Sequence, residues 1–184
     1  MRHPRLAAVL TALALAGCTP ASRAPAPADA PPTERLLAAE AQVHDLVNAY
    51  RAHHGLRRLV PHPHLAEVAR EHSRAMAAGE AAFSHEGLDE RLRRVGRRVP
   101  VLTIGENLYA EQPASALAAW RAVTGWLRSP VHRRAIEEPC WELTGIGAAT
   151  DASGRIYYTQ LFARRLPPPT RSADPPPQRC SGRA

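Results

Sequence analysis

Apolar positions recur along residues 36–166 first at helical spacing and then in alternation. Leu36, Val43, Leu46, Val47 and Tyr50 fall on one face of a helix predicted over Leu36–His53, which Gly55 ends. After Pro61 and Pro63, a second helix is predicted over His64–Ala78, with Leu65, Val68, Ala69, His72 and Met76 inward and Gly79 as its stop. Ala82–Gly87 reads as a loop, and Leu88–Val95 as a short basic helix ended by Gly96. Val99–Ile104 is β-branched enough for a strand, and a tight turn is expected at Gly105-Glu106-Asn107. Pro113–Arg128 is expected to be a helix burying Leu117, Trp120, Val123 and Leu127, with a short helix from Ser129-Pro130 behind it. The pattern closes on a hairpin: Leu143–Thr150, the turn Asp151–Gly154, then Arg155–Ala163. Helices first and a hairpin last, without a βαβ rhythm, indicate an α+β fold.

The ends of the chain follow other rules. Leu6–Ala16 is apolar except for Thr11, is too short to span about 30 Å of hydrocarbon, and follows two arginines. Residues 1–17 therefore read as a signal peptide. The junction Leu15-Ala16-Gly17-Cys18 resembles a bacterial lipobox, in which Cys18 is lipidated and begins the mature chain. An ordinary secretory signal with an incidental Cys is the alternative. Residues 18–33 carry five prolines and form a tether; residues 167–184 carry six more and form a disordered tail. The folded domain is expected over 34–166. Lipidation places the chain outside the cytoplasm, anchored to a bacterial membrane. With Thr19 rather than Asp behind the lipidated Cys, that is the outer membrane in an organism that has one.

The formal charge is +7, and every basic residue apart from histidine is Arg. Such uniformity reflects codon usage more than a ligand. No Arg run interleaved with aromatics is present, so no nucleic-acid partner is expected. With Cys18 lipidated, Cys140 and Cys180 remain for a disulfide in an oxidising compartment; a buried Cys140 with a free tail thiol is the alternative. Among nine histidines, His72 reads as a satisfied core residue, while His85 and His132 stand beside short distinctive motifs. Ser129 is expected to cap a helix rather than act as nucleophile. His132 then lies in the first helical turn, where the helix dipole favours a neutral ring. Two His and a Glu match the ligand set of a catalytic zinc with an open position, so His85, Glu106 and His132 are the cleft and metal candidates, for zinc or another divalent ion.

The ordered motifs carry a resemblance. Asn48-Ala49-Tyr50-Arg51 with Gly55, Leu65–Met76, Phe83-Ser84-His85, Gly105-Glu106-Asn107-Leu108, and Trp126 with Ser129-Pro130-Val131-His132-Arg133 resemble successive signatures of bacterial CAP (SCP-like) domains. Gly145-Ile146-Gly147 and Tyr157–Phe162 resemble the closing hairpin. This superfamily includes cysteine-rich secretory, antigen 5 and pathogenesis-related proteins. The resemblance implies a three-layer α-β-α sandwich with a central antiparallel sheet. It also implies a cleft of two His and two Glu, of which His85, Glu106 and His132 map here. Neither Glu111 nor Glu137 stands in a motif that identifies it as the second Glu, and Val131 replaces a family Gly. Relatives bind metals, lipids or proteins, and no single activity unites them. The expected role is a non-enzymatic, membrane-anchored module binding a lipid or envelope component. The alternative is a metal-dependent hydrolase with Glu106 as ligand or base.

Overall fold

The computed structural model describes residues 30–167. The signal peptide, Cys18, most of the tether, the tail and Cys180 lie outside the described residues.

The first helix, α1 (Pro32–His53), begins inside the predicted tether, with Pro32 in its first turn, where the missing N–H costs nothing. The two-residue strand β1 (Val60–Pro61) leads into α2 (Pro63–Ala77) and α3 (Leu88–Gly96). The long strand β2 (Val101–Glu111) precedes α4 (Ala118–Arg128) and α5 (Pro130–Glu137), and the chain closes on β3 (Leu143–Thr150) and β4 (Ile156–Arg165). The sheet order is β1-β3-β4-β2. The three long strands are antiparallel, as expected, and β1 adds a short parallel edge beside β3. Pro61 lies within β1 and Pro63 follows it, and alternation over two residues is no signal, so this strand was invisible in the pattern.

The sheet lies between two helical layers. On one face α2 and α3 enclose Leu65, Val68, Ala69, Val95, Leu143 and Leu161. On the other α1, α4 and α5 enclose Val43, Val47, Trp126, Ile136, Ile146 and Phe162. These are the α-β-α layers of the expected sandwich. The close seating of α2 on β3 depends on two glycines. A Cβ at Gly145 would lie 2.3 Å from the backbone N of Ala66, and one at Gly147 would lie 2.1 Å from the N of Arg70. The Gly-Ile-Gly stretch is thus a groove for a helix.

The Asn48–Arg51 motif is structural. Asn48 donates to the carbonyl of Leu59 (2.9 Å) and accepts from its N–H (2.7 Å), acting as a stand-in strand partner. Buried Arg51 donates to the carbonyls of Arg57, Ile136 and Glu138, tying the loop after α1 to the C-terminus of α5. A cation there also meets the negative end of the α5 dipole.

Two expectations fail. Gly105-Glu106-Asn107 is not a turn after a strand end; it lies in mid-strand, with Glu106 opposite Leu161 of β4. Gly105 is required by a neighbour rather than a bend, since a Cβ would stand 2.8 Å from the Trp141 ring. The helix expected from Pro113 begins only at Ala118. Residues 112–114 are bound instead to the β3–β4 turn, through Gln112 on Ser153 and Ala114 N–H on the Gly154 carbonyl. The buried stripe of α4 is Ala118, Ala119, Ala122, Val123 and Trp126, so Leu117 and Trp120 stay in solvent.

Candidate functional site

Strand β2 is the edge of the sheet, and its side chains alternate between the two helical layers. Glu106 points to the α2–α3 side and Asn107 to the α5 side, so the Gly-Glu-Asn stretch carries one polar residue into each layer.

Glu106 is almost wholly buried, its side chain 1% exposed. Its carboxylate meets the Arg91 guanidinium through both oxygens: Arg91 Nη2 donates to Oε1 at 2.7 Å, and Arg91 Nε stands 2.7 Å from Oε2. His85 Nδ1 lies 2.9 Å from Oε1. A carboxylate accepts, so Nδ1 carries the proton in that contact and Nε2 faces outward. The His85 side chain is 51% exposed. Glu106 therefore orients His85, in the manner of a carboxylate behind a working imidazole.

Arg91 also gathers the loop that carries His85. It donates to the carbonyls of Glu86 (2.9 Å) and His85 (3.3 Å). His72 completes the clamp, with Nε2 3.2 Å from the Ser84 carbonyl and Nδ1 3.5 Å from Arg91. That ring is held below its ordinary pKa by burial and by the Arg91 charge. It is the satisfied core histidine that the α2 pattern indicated.

His132 arrives from α5 in the opposite layer, its carbonyl accepting from Asn107 Nδ2 at 3.2 Å. Its pKa is lowered first by burial and then by the nearby charge of His85. Both effects act in the direction of the neutral ring expected from the sequence. Ser129 stands at the N-cap position, yet its side chain makes no capping hydrogen bond. Val131 is 65% exposed and turned to solvent, so it does not fill the cleft. Glu111 accepts from Tyr109 and Ser115, and Glu137 from Tyr50, so each carboxylate is engaged at its own place in the fold.

The structure thus brings His85 and Glu106 into contact and sets His132 within electrostatic reach of His85. Glu106 Oε1 accepts from Arg91 and lies against His85, Oε2 stands 2.7 Å from Arg91 Nε, and among the described residues no three His, Cys, Asp or Glu side chains gather to hold an ion. Sequence reasoning missed Arg91. Its signal was a charged residue at a core position of α3, in the stripe Leu88, Arg91, Leu92, Val95; such an Arg implies a buried carboxylate partner.

The α-β-α sandwich is that of a CAP domain. The chain belongs to the cysteine-rich secretory protein family, whose model matches residues 44–162. It is similar to the "Uncharacterized membrane protein YlbC" of Bacillus subtilis, 36% identical over 134 residues covering 68% of this chain and 34% of that protein. The chain therefore spans about a third of the length of that relative. Among solved structures it resembles an extracellular protein containing an SCP domain from Bacillus anthracis (30% identity, TM-score 0.60, 72% of this chain and 42% of that one). It also resembles an outer surface protein from Borrelia burgdorferi (18% identity, TM-score 0.60, 70% of this chain and 93% of that one), a likeness of fold. No helix among the described residues is long and apolar enough to cross a membrane.

Proposed function

We propose that this protein is an exported, lipid-anchored binding module whose cleft engages an envelope component through His85 and His132, without chemical turnover. The observation behind this reading is the state of Glu106. A carboxylate that is 1% exposed and held against Arg91 and His85 is turned toward the protein rather than toward a substrate or ion, which favours a positioning role over that of metal ligand or general base. What the cleft offers is two imidazoles of different character. His85 presents Nε2 from a half-exposed ring fixed by its carboxylate, and His132 is held neutral beside it. A ligand group that both donates and accepts hydrogen bonds, such as a hydroxyl or amide, suits that pair. Extracellular and membrane-associated relatives support the export half of the reading. The Leu15–Cys18 junction supports the anchor.

Metal content and ring resonances test it. Protein purified from its own envelope is expected to carry substoichiometric zinc. The His85 and His132 ring signals are expected to shift on titration with one envelope fraction, lipid or peptidoglycan. Stoichiometric zinc that disappears in the His85→Ala/His132→Ala variant would overturn the reading in favour of a metal-dependent hydrolase.

A further inference from the structure

We infer that the outer face of α4, around Leu117 and Trp120, is the surface on which this domain rests against a lipid bilayer.

Four observations carry it. First, the large apolar residues at and within α4 are divided between core and solvent. Trp126 is 1% exposed and donates its indole N–H to the Leu108 carbonyl, whereas Trp120 is 48% exposed and Leu117 is 55% exposed. Leu117 and Trp120 are three residues apart and so project from neighbouring positions on one side of the helix. Second, this face has the composition of a membrane interface. Gln112–Leu117 is exposed throughout and, apart from Gln112 and Ser115, apolar. Within α4 the only charged residues are Arg121 and Arg128, both exposed. Arg121 is paired with Glu111 of β2 at 3.7 Å, and Ser115 donates to the same carboxylate; an exposed indole on a helix that itself carries arginines and no acid is the pattern that sits at headgroup level.

Third, the face lies at the end of the domain where the chain enters. Pro32, Arg35 and Leu36 of α1 share a cavity of about 480 Å³ with Ala114, Ala116 and Ala119, the residues that bracket Leu117. Fourth, thirteen residues separate Cys18 from Pro32. Fully extended they reach about 45 Å, so an anchored domain is confined to within about that distance of the bilayer. The inference rests on the anchored reading for this confinement alone; the apolar character of the face stands without it.

The test uses the chain from residue 18 with Cys18→Ser, so that no acyl group contributes. Vesicles of phosphatidylcholine and phosphatidylglycerol carrying brominated acyl chains quench indoles that enter the interface. Trp126 and Trp141 are buried, so quenching reports on Trp120. The unlipidated protein is expected to sediment with the vesicles and lose part of its fluorescence. Leu117→Ser with Trp120→Ser is expected to weaken partitioning at least about tenfold, since binding scales with the apolar area inserted. Trp120→Phe is expected to restore most of the partitioning. Circular dichroism and the response of the His85 and His132 resonances to a peptidoglycan fraction should stay unchanged in these variants, which separates this surface from the two histidines. Three results would overturn the inference: no sedimentation with vesicles, equal partitioning by the double serine variant, or a concentration-dependent dimer that Trp120→Ser abolishes.

Discussion

At the scale of single residues, the site is an argument about one buried carboxylate. Arg91 and Glu106 are both buried, and each is the other's main compensation for leaving water. Arg91→Leu strands a carboxylate with only a histidine beside it, and is expected to lower unfolding stability by about 3–5 kcal/mol in urea titrations. Adding Glu106→Gln to that variant should recover part of the loss, because the stranded group is then neutral. His72 and His132 supply a second expectation. Their folded pKa values lie below the free value, so between the two the unfolded chain binds protons that the folded chain excludes. Stability must then fall as pH drops below about 6.5. Denaturant midpoints measured on either side of that pH should show the decline, and His72→Gln with His132→Gln should reduce it, leaving the part that His62 contributes, whose pKa burial also lowers. His85, Glu106 and His132 were legible because each stands in a short motif. Arg91 was not, since the motifs mark the cleft and not what holds it.

Elements were legible where one periodicity governed them. The positions of α1, α2, α3 and the closing hairpin follow from apolar spacing and the glycines that stop each run. The errors fell where tertiary bonds compete with local preference. A strand was cut short at a Gly that makes room for Trp141, and α4 was extended over residues that the β3–β4 turn had claimed. Gly147 offers a direct measure of such close approach. Gly147→Ala places a methyl against the backbone of α2, which cannot yield without moving the whole helix, and is expected to cost about 3 kcal/mol or more. Gly96→Ala in α3 meets nothing within 4 Å and should be neutral or stabilising by about 0.4–1 kcal/mol. Equal melting shifts for the two would show that α2 does not need the groove.

At the scale of the whole molecule, the layered sandwich serves to bring two helical layers to the free edge of β2. His85 comes from one layer and His132 from the other, so the two rings come within electrostatic reach of each other only when both layers are docked. Partial unfolding of either layer should therefore abolish ligand response before the core melts. Ring resonances followed alongside far-UV dichroism in increasing denaturant would check that order.

Cys140 is disulfide-bonded, and its partner lies outside the described residues. The sequence holds three cysteines, so the partner is Cys18 or Cys180. A sulfur carrying a lipid has no thiol left to pair, so one bond reports on two separate maturation events. Peptide mapping without reduction is expected to link Cys140 to Cys180. A link to Cys18 would mean that the chain had never been acylated. With Cys18 acylated as proposed above, the bond would act as a maturation record, distinguishing chains that crossed the membrane and received their anchor from chains oxidised without it.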